Sequence, residues 1–238
     1  MTTSKGLIVA IDGPAGSGKS TVTHLLARRL GYIHVDTGAL YRALALKALR
    51  LKTSLENGPN LGKLATHSKF EFQWNQAERN QIFLDDEDVS DFIRTPEVSL
   101  VASKISAIKE VRQALLGLQR KCGENGSAVL EGRDIGTIVF PDAHIKFFLT
   151  ASVDSRARRR MVELEEKGIY LDFEEVKKQV LQRDRGDTDR KVAPLKKALD
   201  AIEVDTTHMT IEKVVETLEI HVKEKERQLL LMNSLVTK

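Results

Sequence analysis

What the sequence lacks narrows it first. It has one cysteine, Cys122, so no disulfide can form within the chain and nothing suggests an oxidising compartment. Cys122 itself reads as a packed or idle thiol. Trp74 is the only tryptophan, and it reads as a core or surface anchor of its own segment rather than a stacking platform. Charge is nearly balanced, 37 basic residues against 34 acidic, and a net +3 is too small to imply nucleic-acid binding by itself. No apolar stretch approaches the ~20 residues of a membrane span, and the run Leu7 to Ile11 is too short for a signal-peptide core. The expectation is a soluble cytoplasmic protein with no membrane or nucleic-acid partner, and a monomer. There is no internal repeat and no low-complexity tract.

What is present is an alternation of strands and helices. With 41% hydrophobic residues the chain can bury one substantial core and a smaller satellite. Leu7 to Ile11 reads as a buried strand, Gly18 to Leu30 as a helix stopped by Gly31, Ile33 to Val35 as a strand and Gly38 to Leu51 as a helix. This pattern predicts an α/β fold, a parallel sheet covered by helices. Near Thr53 the pattern changes. Asn57 to Asn60 reads as a loop, Phe70 to Trp74 and Asn80 to Leu84 as short strands, and Asp85 to Asp88 as an acidic turn. Thr95 and Pro96 open a helical stretch to about Cys122. Core strands return at Ala128 to Leu130 and Ile145 to Leu149, helices follow at Ser152 to Lys167 and Phe173 to about Arg185, and a last strand and helix begin at Ala201 and Ile211.

Gly13-Pro14-Ala15-Gly16-Ser17-Gly18-Lys19-Ser20 matches G-x-x-x-x-G-K-[ST] in full, between a buried strand and a helix. The glycines allow turns that aim successive N–H groups into one concavity, and the helix adds its positive end. Lys19 supplies a cation for the β and γ phosphates, and Ser20 a hydroxyl for Mg²⁺; Thr21 follows directly. Such a loop serves kinases, switches, motors and transporters alike. The absence of N-K-x-D and D-x-x-G sequences argues against a GTPase switch, and the chain is short for a motor.

Two further clusters fall at the carboxyl ends of core strands, where ligands sit in parallel sheets. One is Asp36, Thr37 and Arg42; the other is Glu131, Gly132, Arg133 and Asp134. A carboxylate at Glu131 can hold Mg²⁺ through water, and the arginines can hold phosphate. Arg156, Arg159 and Arg160 share a helix face with Arg158 beside them, and beside a P-loop they read as covering a transferring phosphoryl group. Arg183 and Asp187 are spaced i, i+4 and could pair to read a ribose diol; an ordinary surface run would look similar.

Taken together these motifs resemble bacterial cytidylate kinases, P-loop nucleoside monophosphate kinases. The matching pieces are Ile11 to Pro14, Asp36 to Arg42, Asp88 to Ser90 with Ile93 to Thr95, Glu97-Val98, Val111-Arg112, Gly132 to Thr137 and Phe140 to Ala143, then Arg183-Asp184, Asp187, Arg190 and Val192 to Leu195. The resemblance spans roughly residues 6 to 220. It implies a core domain over 1–52 and 123–238, a short lid within about 155–172, and a nucleoside monophosphate-binding domain with a β-rich insertion over 53–122. It implies that Ser103, Arg112 and Asp134 read the cytosine base, that Arg42, Arg133 and Arg190 hold the acceptor phosphate, and that Arg183 and Asp187 bind its ribose near Asp36 and Thr37. Lys19, Arg133, Asp134, Arg158 and Arg190 would be the catalytic residues, with ATP, CMP or dCMP, and Mg²⁺ as the small-molecule partners. Many family members carry Asp where Glu131 stands.

Rival readings differ in what they would turn over. A related P-loop kinase, such as a dephospho-coenzyme A kinase, would use another acceptor. A nucleotide-driven regulator would transfer no phosphate at all. One geometric constraint also follows: Ser103 and Arg112, nine residues apart, would lie about 180° apart on a straight α-helix, so a joint role requires a break near Ser106 to Lys109. Beyond about Val222 the tail is extra, and its Leu229 to Met232 run is expected to pack on the body.

Overall fold

The computed structural model describes residues 6–74 and 80–236, without the side chains of 74, 80 and 233–236, so the expectation for Trp74 lies outside the described residues. The elements are β1 (Ile8–Asp12), α1 (Lys19–Leu30), β2 (Ile33–Asp36), α2 (Gly38–Arg50) and α3 (Gly58–Thr66). They continue with β3 (Phe70–Trp74), β4 (Asn80–Leu84), β5 (Glu87–Asp88), α4 (Pro96–Ile105) and α5 (Lys109–Lys121). The last are β6 (Ala128–Gly132), β7 (Ile145–Thr150), α6 (Val153–Glu165), α7 (Phe173–Asp189), β8 (Ile202–Asp205) and α8 (Ile211–Val236). Two compact units result. The first takes in the chain up to His34, Asn125–Asp189 and everything from Pro194; the second is Val35–Glu124 with Arg190–Ala193.

A five-stranded sheet in the order β2-β6-β1-β7-β8 organises the first unit, and β1 pairs in parallel with both β6 and β7. That central place explains the unbroken apolar run of β1: Val9, Ala10 and Ile11 are fully buried because helices cover both faces of a parallel sheet. Val22, Leu26 and Ala27 of α1 and Val214, Val215, Leu218 and Val222 of α8 pack with β1 and Phe147 of β7. Gly31 ends α1 in the left-handed region, at φ 66°, as a helix stop there requires. Ala157, Leu164 and Val176 join α6 to α7 in a small core of their own.

α8 runs to Val236, and its tail packs only in part. Leu229 lies against the core, whereas Leu230, Leu231 and Met232 are about 60% exposed. The expected packing of the whole Leu229 to Met232 run is therefore corrected to Leu229 alone. Four consecutive residues cannot share one face at 3.6 residues per turn. The Tyr32 hydroxyl donates to Glu226 Oε1 and accepts from Leu7 N at 3.0 Å, which ties this helix to the start of the sheet.

In the second unit, Ala39, Leu40, Ala43, Leu44 and Ala48 of α2 pack with residues of α3, α4 and α5 and with Ile82 and Leu84 of β4. This shared core is why the unit begins at Val35, ahead of the composition change at Thr53. The strands β3-β4-β5 form an antiparallel sheet. Two expectations change here. Asn57 to Asn60 is the start of α3 rather than a loop: the Asn57 side chain accepts from Asn60 N and Pro59 occupies the first turn, so loop-forming residues serve as a helix cap. The stretch from Pro96 to Lys121 is two helices, broken at Ser106 to Ile108. Cys122 is partly buried, and burial pushes its thiol up to about 11, which keeps it in the thiol form at neutral pH.

Candidate active site

The parallel register sets Asp12, the last residue of β1, opposite Gly132, the last of β6. The loop Gly13–Gly18 and the segment from Arg133 thus leave the sheet at the same edge. Lys19, at the start of α1, is 5% exposed and donates to Pro14 O at 2.6 Å and to Ser17 Oγ at 3.2 Å. Ser17 Oγ in turn donates to Pro14 O at 3.0 Å. Burial, and next the nearby Arg133, push the Lys19 ammonium well below its usual range; Arg183 adds to this, while Glu131 and Asp187 oppose it. Lys19 is therefore a cation held beside two other cations, and a polyanion in the loop would relieve that repulsion. A cavity of about 340 Å³ adjoins the loop, lined among others by Gly16, Gly18, Thr21, Arg159, Thr206 and Met209.

The Ser20 hydroxyl donates to Glu131 Oε2 at 2.8 Å, and Glu131 Oε1 lies 3.0 Å from His34 Nε2. Ser20 and Glu131 place two oxygens side by side, the donor type that hard divalent cations take. Among the described residues no group of three or more His, Cys, Asp or Glu side chains could hold a metal ion alone. The residues fit Mg²⁺ bound together with phosphate oxygens rather than in a cage made by protein alone.

Arg133 Nε donates to Asp187 Oδ2 at 2.8 Å and its Nη1 to Gly132 O at 3.2 Å. Burial opposes its charge, but Asp187, joined by Glu131 and Asp12, raises the Arg133 pKa. α7 is continuous through Arg183 and Asp187, as the i, i+4 reading needs, and Arg133, distant in sequence, pairs with Asp187. Asp134 is buried and opens a π-helical turn at Ile135–Val139. Asp12 anchors that turn: its two carboxylate oxygens accept from Ile135 N at 2.8 Å and Gly136 N at 2.7 Å.

Burial pushes Asp12 up to about 6 from 3.8, against those two hydrogen bonds, with Asp134 adding to the rise and Lys19 opposing it. A raised folded pKa means the native state binds more protons than the unfolded chain between pH 4 and 6. The Asp12 contribution is then fully present below about pH 4 and lost as pH rises through about 6. Asp12→Asn removes this titration. Relative to the variant, the parent is expected to lose on the order of 3 kcal/mol of stability from pH 4 to 7, measured by urea unfolding at each pH. A pH-independent difference between the two would contradict the assignment.

The arginines of α6 divide between the loop and the helix surface. Arg156 is buried; it donates to Ala15 O at 3.2 Å and Ala151 O at 3.0 Å, and grips Asp184 of α7 with both terminal nitrogens. Arg159 donates to Gly16 O at 3.3 Å and to Thr206 O at 2.6 Å, and Thr206 Oγ1 lies 3.1 Å from Ser17 O. These two side chains brace the carbonyls of the loop from outside, since a loop that turns its N–H groups inward leaves carbonyls facing out. Arg160 pairs with Glu163, and Arg158 is exposed over the Phe173 ring at 5.1 Å. Sequence reading missed Thr206 and His34: neither stands in a motif, and Thr206 reaches Ser17 over 189 residues while His34 reaches Glu131 over 97.

In the second unit, Arg42 bonds Asp36, and Thr37 is buried at the start of α2. Ser103 and Arg112 fall on either side of the helix break, as a joint role requires. Arg112 Nη1 donates to Ser106 O at 3.1 Å, its guanidinium lies 5.6 Å from the Tyr41 ring centroid, and Ser106 Oγ donates to Ser103 O at 2.8 Å. Arg190 is buried, with Nε donating to Ala193 O.

Comparison with known proteins agrees with this layout. A family model described as cytidylate kinase matches residues 9–224. The chain is 52% identical over 223 residues to the cytidylate kinase of Citrifermentans bemidjiense, covering 94% of this chain and 95% of that one. It is 48% identical to the cytidylate kinase of Shouchella clausii, covering 94% and 100%. A solved structure from Eubacterium ventriosum, 15% identical with a TM-score of 0.50 over 92% of this chain and 99% of that one, shares the fold alone. On the family match and these identities together, the chain belongs to the cytidylate kinase family.

Proposed function

We infer that the protein transfers the γ-phosphoryl group of ATP to CMP or dCMP, giving ADP and CDP or dCDP. The observation that carries the phosphoryl-transfer half is Lys19, buried and destabilised as a cation at the head of α1 beside Arg133 and Arg183. Family membership carries the acceptor half.

ATP would take its phosphates on the N–H groups of Ala15–Gly18 with Lys19, Ser20 and Thr21, and the adjoining cavity lies in the size range of small-ligand pockets. Mg²⁺ would be held by Ser20 directly and Glu131 through water; when bound it neutralises phosphate charge. In the second unit, Ser103 and Arg112 would read the base, and Arg42 and Arg190 the acceptor phosphate, with Asp36 and Thr37 nearby. In the first unit, Arg133 would hold phosphate, Asp134 would add to base reading, and Arg183 and Asp187 would bind ribose. The acceptor oxygen is already ionised, so no strong general base is needed. Alignment and charge stabilisation by Lys19, Arg133 and Arg190 would lower the barrier, with Arg158 joining from the lid side.

An acceptor panel with ATP and Mg²⁺ tests this. CMP and dCMP are expected to give the highest kcat/KM among CMP, dCMP, UMP, AMP and GMP, followed by coupled ADP release. Equal turnover of AMP or GMP would overturn the acceptor assignment, and no transfer to any monophosphate would overturn the reaction.

A further inference from the structure

Glu131 reaches from the carboxyl end of β6 to the start of α1, and both its oxygens are engaged. Oε2 accepts from Ser20 at 2.8 Å and Oε1 faces His34 Nε2 at 3.0 Å. A carboxylate only accepts, so His34 Nε2 carries the hydrogen of that contact. The His34 side chain is 12% exposed and that of Glu131 5%, so water competes little for either. His34 is in turn packed edge-on against His24 of α1, with ring centroids 5.9 Å apart. A glutamate side chain has three rotatable bonds. The His34 contact restricts the last of these bonds and so helps to hold the Ser20-side oxygen in place.

We propose that His34 is a positioning residue, which fixes the Glu131 carboxylate at Ser20 and thereby sets the affinity of the nucleotide-bound divalent cation. The inference rests on the reading that Ser20 and Glu131 hold that cation. It explains how a side chain longer than aspartate can serve here, because the extra reach ends on an imidazole built to receive it. His34 touches neither nucleotide nor metal in this arrangement; it acts through Glu131.

The test measures Mn²⁺ binding to the protein–ADP complex by electron paramagnetic resonance, with ADP affinity in EDTA measured by calorimetry as the metal-free reference. The parent is expected to bind ADP more tightly with Mn²⁺ than without; if it does not, the metal reading of Ser20 and Glu131 fails before His34 is tested. His34→Leu keeps bulk but removes the donor, and it is expected to weaken Mn²⁺ binding by about 10-fold, the scale of lost outer hydrogen bonds at metal sites. Metal-free ADP affinity should stay within about twofold of the parent. His34→Gln, which offers an amide donor, should recover most of the loss.

A double-mutant cycle with Glu131→Asp guards against a folding effect. The shorter side chain gives up the reach to His34, so His34→Leu should cost nothing further in that background. Parent-like Mn²⁺ affinity in folded His34→Leu overturns the proposal. So does an equal loss in metal-free ADP binding, or the same penalty in both backgrounds of the cycle.

Discussion

Lys19→Ala is expected to lower kcat/KM for phosphoryl transfer by at least about 10²–10³-fold, the scale seen when one charge-stabilising donor is removed from a reaction site. The loss should come without a matching loss of stability. Lys19 is buried and its charge is disfavoured by burial and by Arg133, so the fold bears a cost in keeping it there. Removing it leaves Pro14 O and Ser17 Oγ without one donor each, a loss of the order of 1 kcal/mol. The melting temperature should therefore move by no more than about 5 °C in either direction. Calorimetry on the same preparations used for the coupled assay would separate the two effects. Activity within tenfold of the parent, or loss of activity only in step with unfolding, would contradict a phosphate-binding role for this lysine.

Gly13→Ala should act the other way, on the fold first. Gly13 adopts φ 149°, which side chains rarely tolerate, and an added Cβ would lie 2.1 Å from the carbonyl oxygen of Leu149 in β7. Backbone, not a flexible side chain, is in the way, so β1 and β7 would have to part at the head of the loop. A cost of about 3 kcal/mol or more is expected, which lowers the melting temperature by roughly 6–12 °C in a chain of this size. Nucleotide affinity should fall as well, because the loop begins at this residue. Gly117→Ala provides the contrast. Gly117 lies inside α5 with nothing within 4 Å of its Cβ position, and alanine there should stabilise by about 0.5–1 kcal/mol. If the two alanines gave similar melting shifts, close approach at Gly13 would not be the reason for glycine.

Local signals account for what is legible in the sequence by itself. The strand–loop–helix of the P-loop is contiguous, and its apolar periods and glycines each point to the same geometry. The order of core strands and helices follows from the same alternation. The readings that change turn on contacts distant in sequence or on a choice between two uses of one residue. Asn57 and Pro59 suit a turn and a helix start equally, and only the apolar face offered by Leu61 and Ala65 to the α2–α5 core decides for the helix. Arg156 and Arg159 are legible as a basic face, but their acceptors, the carbonyls of Ala15 and Gly16, lie about 140 residues away. No spacing rule reveals a carbonyl as a partner. Asp187 also pairs with Arg133, 54 residues away at the end of β6, a contact that no local spacing reveals. Arg112 is visible as a candidate, but the break that lets it approach Ser106 is called for only by the joint role with Ser103 that the family resemblance implies, since the helical pattern itself runs on.

The bracing of the loop by α6 also limits its mechanics. Arg156 and Arg159 clamp the first two turns of α6 to Ala15, Gly16 and Thr206, and the Arg156 grip on Asp184 extends the clamp to α7. A swing of the whole helix from Val153 would have to break all of these at once and would drag the phosphate loop out of shape. The pivot for any closing movement therefore falls after Arg159. The stretch beyond it carries Met161, Leu164, Ile169 and Leu171, which pack with Ala157 of α6 and Val176 of α7, so one small core holds it to both helices. On this account the phosphate loop is the fixed base of the unit, and any closing movement beyond Arg159 would leave it formed.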